Sequence, residues 1–154
     1  MTSLRQLAAL LDEKWRPWAG SIIFPSKPAT ERSVSRIEKA LRFKLPKDFI
    51  ELSRLSLNYG VHLGSIGEDY QSHNHLLRLN EGFHDSELQA EVPAVALPAD
   101  WVIINHGHDG ACDCFDIADP GRDGEYPIYY LNNENPKAPK LLARTFMQYL
   151  IDYA

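Results

Sequence analysis

Apolar residues recur at three- and four-residue steps through the first third of the chain, a spacing typical of amphipathic helices. This spacing predicts a first helix over residues 3–15 and a second helix that begins after Thr30, a suitable N-cap. Pro46 suits the first turn of a third helix. Near the end of the chain, Thr145 and Gln148 have the spacing of a capping box and predict a terminal helix.

The last third of the chain contains short apolar runs bounded by turn residues, the pattern of β-strands. Strands are predicted over Trp101–His106 and Cys112–Ile117, on either side of Asp109-Gly110, a dipeptide typical of two-residue hairpin turns. A third strand is predicted over Tyr126–Leu131, near a sheet edge because it contains Pro127. Together these elements predict an α+β fold, a single domain in which helices flank an antiparallel-rich mixed sheet.

The predicted hairpin contains the segment NHGHDGACDCFD, whose histidines, cysteines and aspartates are all potential metal ligands. With Asp109-Gly110 as the turn, Ile104 lies opposite Phe115 and His106 lies opposite Asp113. Directly opposed residues point to the same side of a sheet. The predicted apolar face comprises Val102, Ile104, Phe115 and Ile117, continued outward by His106 and Asp113. The predicted second face carries Cys112, Cys114, Asn105 and Asp116.

This register separates the histidines from the cysteines, so we predict that the hairpin alone forms no metal site. One alternative keeps Cys112 and Cys114 as ligands, in a small metal-binding enzyme completed by a distant histidine. The candidate histidines are His62, His73, His75 and His84. Zinc sites usually use two such pairs, and the sequence has only one. The P-loop, HExxH and nucleophile-elbow motifs are also missing, so we predict no catalytic residue, no metal and no cofactor.

Length and charge limit the remaining classes. The 154 residues fit one domain, and no apolar run approaches the roughly 20 residues that cross a bilayer. The net charge of −5 argues against a nucleic-acid partner, which rewards clustered Lys and Arg, and is compatible with a basic protein partner. A disulfide between Cys112 and Cys114 would close almost no loop, so the expected compartment is the reducing cytoplasm.

Four stretches in order resemble the SUKH superfamily of Smi/Knr-type domains. They are IEKALRFKLPKDFIELSRLSLNYG, DWVIINHGHDGACDCFDI, DGEYPIYYLNNE and ARTFMQYLIDY. The resemblance covers about residues 31–153 and implies a SUKH-like domain over residues 31–154. Residues 1–30 are then an N-terminal helix and a proline-rich connector, which we expect to pack with that domain as one globular unit. Arg42 departs from the family pattern, in which a glycine commonly ends the first helix.

The resemblance implies a non-catalytic binding protein. Many bacterial members are cytoplasmic immunity proteins that bind and block a polymorphic or contact-dependent toxin domain, and fungal relatives resemble regulatory scaffolds. Immunity is the leading hypothesis, and a regulatory or scaffold interaction module is the alternative. The mild acidity fits a basic nuclease as the toxin, because complementary charge speeds encounter. The predicted partner-binding residues are Glu68, Asp69, Tyr70, Asp109, Asp113, Asp123 and Tyr126.

Overall fold

The helices lie where the apolar spacing predicts them. A computed structural model describes residues 2–18, 27–55, 76–77, 79–80, 98–106, 111–132 and 138–153. The longer helices of these ranges are α1 (Leu4–Trp15), α2 (Glu31–Leu41), α3 (Lys47–Leu55) and α4 (Phe146–Tyr153). Two short 3₁₀ turns, Arg16–Trp18 and Arg122–Gly124, also occur. Leu76, Leu77, Leu79 and Asn80 are helical as well.

The ends of α2 follow from its local sequence. The predicted N-cap at Thr30 is confirmed, because the Thr30 and Ser33 side chains each accept a hydrogen bond from the other's backbone N–H. The helix closes at Arg42, which adopts the left-handed conformation (φ 57°, ψ 40°). A glycine would adopt that conformation without steric cost. Arg42 therefore adopts a backbone conformation that favours glycine.

The cap of α4 differs in part from the predicted capping box. Thr145 Oγ1 accepts a hydrogen bond from the Gln148 N–H at 3.2 Å, as predicted. The Gln148 side chain, however, donates forward to Asp152 Oδ1 at 3.1 Å. Glu125 Oε2 accepts from the Phe146 N–H at 3.0 Å. A carboxylate from the connection between residues 116 and 128 thus supplies the second cap, which the local sequence of α4 does not reveal.

The strands form one antiparallel sheet in the order β1-β2-β3-β4. They are β1 (Trp101–His106), β2 (Cys112–Asp116), β3 (Ile128–Leu131) and β4 (Lys140–Ala143). The α+β, single-domain prediction is confirmed. The predicted edge position of the third strand is wrong, because β3 lies between β2 and β4. Pro127 precedes the strand, and its carbonyl accepts from the Asp116 N–H at 3.0 Å, so no hydrogen bond inside β3 is lost.

The β1–β2 hairpin contains an irregularity that the sequence prediction lacks. Val102, and not Ile104, pairs with Phe115, and Ile103 pairs with Cys114. Beyond this point the register shifts by one residue, so that Asn105 pairs with Asp113 and His106 pairs with Cys112. The predicted pairings of His106 with Asp113 and of Asn105 with Cys114 are therefore wrong. Ile104 is the extra residue of a β-bulge, which reverses strand parity after it.

The two faces of the sheet bury different clusters. The face towards the helices packs around Phe115, whose ring meets those of Phe49 (5.7 Å between centroids) and Phe146 (6.1 Å). Val102 and Ile104 belong to this cluster, as predicted, and Ile117 packs against it. The opposite face buries Ile103, Cys112, Cys114 and Leu131. The bulge therefore leaves the apolar face intact while it changes which polar residues extend it.

Residues outside the SUKH resemblance also contribute to the core. Leu7, Ala8 and Leu11 of α1 are buried in the same cluster as Phe115. They lie at the three- and four-residue steps that predicted the helix. The N-terminal segment thus supplies one wall of the core of the domain.

The outer edge of β1 is hydrogen-bonded by a side chain. Asn80 is 2% exposed, and its Oδ1 accepts from the Ile103 N–H at 2.8 Å. Its Nδ2 donates to the Ile103 carbonyl at 3.0 Å and to the Leu76 carbonyl at 2.9 Å. A single amide thus satisfies both backbone groups that Ile103 directs away from β2.

Candidate functional site

Three of the seven predicted partner-binding residues lie in the described part of the chain. Asp113 is half-buried on β2, and Asp123 is exposed in the β2–β3 connection, where it adopts φ 60°. Tyr126 is 7% exposed and packs edge-on against Phe43 at 5.7 Å. Tyr126 therefore belongs to the core. The remaining four, Glu68, Asp69, Tyr70 and Asp109, lie outside the described residues.

Asp113 is the centre of a polar cluster between the sheet and α4. Its Oδ2 accepts a hydrogen bond from the Tyr149 hydroxyl at 2.6 Å and from Asn105 Nδ2 at 3.2 Å. Asn105 Nδ2 also lies 3.4 Å from the Tyr149 oxygen. The bulge at Ile104 makes this cluster possible, because regular alternation would direct Asn105 to the cysteine face.

A row of directly opposed residues continues the polar cluster from Asp113 across the sheet. Asp113 pairs with Tyr130 of β3, which in turn pairs with Lys140 of β4. Directly opposed residues share a face, so this row continues the apolar face outward as polar surface. Tyr149, Asp152 and Tyr153 of α4 border the same region. Tyr149 was not among the residues predicted from the sequence, although its three-residue step from Phe146 places both on one helix face.

Burial controls the ionisation of this cluster. Burial raises the pKa of the Asp113 carboxyl above its ordinary value of 3.8, and the hydrogen bonds from Tyr149 and Asn105 oppose that rise. Burial and the facing Asp113 carboxylate raise the pKa of Tyr149. The same two causes raise the pKa of Tyr153 to about 12. Both phenols are therefore neutral at physiological pH, so Asp113 is the member of this hydrogen-bonded cluster that can carry a negative charge.

We expect Asp113 to give the fold a defined pH dependence. A carboxyl whose pKa is higher in the folded state binds more protons folded than unfolded, so stability falls as pH rises through that window. The effect is about 1.4 kcal/mol for each pH unit separating the folded and unfolded pKa values. Asp113→Asn removes this contribution while its amide oxygen can still accept from Tyr149. Urea unfolding from about pH 4 to about pH 7 should show wild type losing stability relative to Asp113→Asn. Parallel curves would contradict this assignment.

The two cysteines form a buried thiol pair on the opposite face. Cys112 and Cys114 are 4% and 0% exposed, and the Cys114 thiol donates to Cys112 Sγ at 3.7 Å. This hydrogen bond and burial raise the pKa of Cys114 well above its usual range. Metal binding and nucleophilic attack both require the thiolate. The surroundings of Cys114 thus favour the neutral thiol over the thiolate.

The observed register contradicts the predicted separation of histidines from cysteines. His106 pairs with Cys112 along the backbone, so the prediction that the two residues lie on opposite faces is wrong at this position. Within the described ranges, no group of three or more His, Cys, Asp or Glu residues could hold a metal ion. His62, His73, His75 and His84 lie outside those ranges. A Cys-x-Cys site completed by one of them therefore stays an untested alternative.

Comparison with known families agrees with the resemblance seen in the sequence. A model of the SMI1 / KNR4 family (SUKH-1) matches residues 28–152. The match extends from just before α2 into α4 and includes all four strands. No curated protein matches the chain. In the described part of the chain, no helix combines the length and apolar character needed to span a membrane.

Proposed function

From the premise that this chain belongs to the SMI1 / KNR4 family (SUKH-1), we propose that it is a non-catalytic immunity protein. It neutralises a polymorphic or contact-dependent toxin domain by binding it directly. The observation that carries this proposal is the family match, which spans residues 28–152 of the 154-residue chain. Such a role needs a rigid binding surface and no reacting group.

The charge of the chain favours a basic partner. Its net charge is −5, and neither the exposed Asp123 nor the half-buried Asp113 forms an ion pair with any described residue. Many toxin domains of this kind are nucleases, which carry basic surfaces for their substrate. Complementary charges accelerate association and fix the orientation of the complex. We therefore propose a basic nuclease domain as the partner and the cytoplasm as the compartment.

The contact surface that we propose comprises the acidic and aromatic residues predicted from the sequence, except Tyr126. Its members are Glu68, Asp69, Tyr70, Asp109, Asp113 and Asp123. Tyr126 is left out because its side chain packs in the core against Phe43 and Phe115. Asp123 is the best probe of the charge argument because it is exposed and belongs to no ion pair among the described residues.

The proposal predicts that a toxin domain is encoded beside this gene, and that domain is the partner used to test it. Co-expression should restore the growth of cells that produce the toxin, and the purified proteins should form a 1:1 complex. A protective inhibitor must dissociate slowly, so we expect a subnanomolar Kd, in the direction of the about 10⁻¹³ M reached by the tightest protein pairs. Failure to bind or to protect against the adjacent toxin would reject immunity and favour the regulatory or scaffold role.

Asp123→Asn then tests the contribution of charge. Asn tolerates the left-handed backbone that Asp123 adopts, so the loop keeps its shape. Because a rim charge contributes little, we expect a two- to fivefold weaker Kd, mostly through slower association, and a smaller salt dependence (roughly 0.4–1 kcal/mol). Glu31→Gln, which removes an exposed acid at the start of α2, is the matched control. Equal effects of the two variants would remove Asp123 from the proposed surface.

A further inference from the structure

A cavity of about 330 Å³ lies between the polar end of the sheet and the last turns of α4. This volume is near the lower limit of ligand pockets, which span about 300–1,000 Å³, and suits a single long side chain. The cavity has one wall from three strands and another from the helix. Its lining residues are Asp113, Tyr130, Leu142, Tyr149, Asp152 and Tyr153.

The carboxylates of this cavity lack a cation from the described chain. Both hydrogen bonds to Asp113 end on Oδ2, so its Oδ1 has no donor among the described residues. Asp152 accepts one hydrogen bond, from Gln148 Nε2. Lys140 lies across from Tyr130 on the same face, yet it is exposed and forms no ion pair with either acid. The cavity therefore has accepting capacity for a positively charged group.

The aromatic walls suit the same kind of group. The tyrosine rings that border the carboxylates give the cavity an apolar wall. The Tyr149 and Tyr153 rings stack on each other at 5.8 Å between centroids, and Lys14 Nζ lies 5.2 Å from the Tyr153 centroid, so this pair contributes apolar packing surface and not an open ring face. Leu142 adds an apolar surface for the methylene stem that precedes a lysine or arginine head group. The carboxylates of Asp113 and Asp152 would repel an anionic group in this cavity.

We infer that this cavity is an anchor site for one lysine or arginine side chain that projects from the protein partner. The inference rests on the proposed function, since it assigns to that binding surface a specific anchor and a partner chemistry. The cationic head group donates to Asp113 Oδ1 and to Asp152, and its stem packs against Leu142 and Tyr130. Buried arginines in aromatic pockets are frequent energetic centres of protein interfaces.

The first test needs no toxin. N-acetyl-arginine methylamide and N-acetyl-lysine methylamide are titrated into the ¹⁵N-labelled full chain, with neutral N-acetyl-citrulline methylamide as the ligand control. We expect saturable shifts of the Asp113 and Asp152 amides and of the Asn105 side-chain amide with the two cationic probes. Citrulline should shift them little. Absence of localised shifts with the cationic probes would overturn the inference.

Matched variants test whether the cavity-lining carboxylates bind the cationic probes. Asp113→Asn should weaken probe binding by about tenfold, because charge-assisted hydrogen bonds are the strong ones. Asp116→Asn removes an acid from the same strand that does not line the cavity, and it should leave binding unchanged. Asp152→Asn changes an exposed helical position, so it provides an independent measurement of the loss of probe affinity if Asp113→Asn alters the fold. Lys140→Met should strengthen binding by removing a nearby positive charge. Equal binding by Asp113→Asn, Asp152→Asn and wild type would overturn the inference.

The same variants separate this inference from the proposed function. If the toxin binds the Asp113→Asn/Asp152→Asn double variant as tightly as wild type, the anchor site is rejected and the immunity proposal stands. If the cationic probes bind but the adjacent toxin does not, the immunity proposal is rejected and the cavity remains a cation site. Parallel losses of probe and toxin affinity support both.

Discussion

Asn80→Ala should lower the free energy of unfolding by about 2–4 kcal/mol, a large fraction of the roughly 5–15 kcal/mol by which most proteins are stable. The substitution leaves the Ile103 N–H and carbonyl without their partner in a buried position, and it removes one hydrogen bond to the Leu76 carbonyl. Each unsatisfied buried backbone group costs about 1–3 kcal/mol. Urea unfolding followed by circular dichroism measures the change, with an unchanged m-value showing that the unfolding reaction is the same.

Two companion variants sharpen this prediction. Asn105→Ala removes an amide of the same size from β1, but this amide bonds only side chains, so the cost should be about 1 kcal/mol. Asn80→Asp keeps the acceptor for the Ile103 N–H and places a negative charge against two carbonyl oxygens. This variant should regain stability at low pH, where the protonated acid can donate. Equal losses for Asn80→Ala and Asn105→Ala would show that Asn80 does not hold the strand edge.

Leu11→Ala should lower the free energy of unfolding by about 2–5 kcal/mol, as for other large-to-small substitutions in cores. Leu11 is 0% exposed and packs in the cluster that contains Phe115, although it precedes the segment matched by the family. Thermal or urea unfolding is the measurement. The result would show that α1 stabilises the domain and is not an appendage to it.

Leu10→Ala is the matched control for this prediction. It removes the same atoms from the adjacent position of α1, where the side chain is 51% exposed. Surface substitutions usually change stability by less than about 0.5 kcal/mol, and alanine favours the helix. If Leu11→Ala costs no more than Leu10→Ala, α1 does not dock through its predicted face.

Helix positions and the apolar residues of the two sheet faces could be predicted because both depend on short-range periodicity. Thr30 and the apolar face containing Val102 and Phe115 were found in this way. The exact register of the hairpin could not be predicted. Regular pairing cannot place both Ile104 and the adjacent Asn105 on the helix-facing side of the sheet, whereas a bulge of one residue can. It keeps Ile104 in the core and still places Asn105 beside Asp113.

Contacts between segments far apart in the chain could not be predicted from sequence patterns. β4 is only four residues long and has two exposed positions at its start, so it lacks the alternation that marks a strand. Asn80 lies 23 positions from Ile103, and an isolated asparagine gives no sign of such a partner. The carboxylate cavity likewise depends on how α4 crosses three strands. Its residues look like ordinary surface acids and core tyrosines when read along the chain.

The amide of Asn80 also governs how this sheet meets other chains. Exposed strand edges recruit further strands, which leads to aggregation or to binding of extended peptides. At the centre of β1 the backbone groups that would recruit such a strand are already occupied. An incoming peptide would have to displace a buried side chain to lengthen the sheet there. Replacing Asn80 would therefore leave the edge of β1 with unpaired backbone groups. We expect the variant to self-associate as well as to unfold more easily.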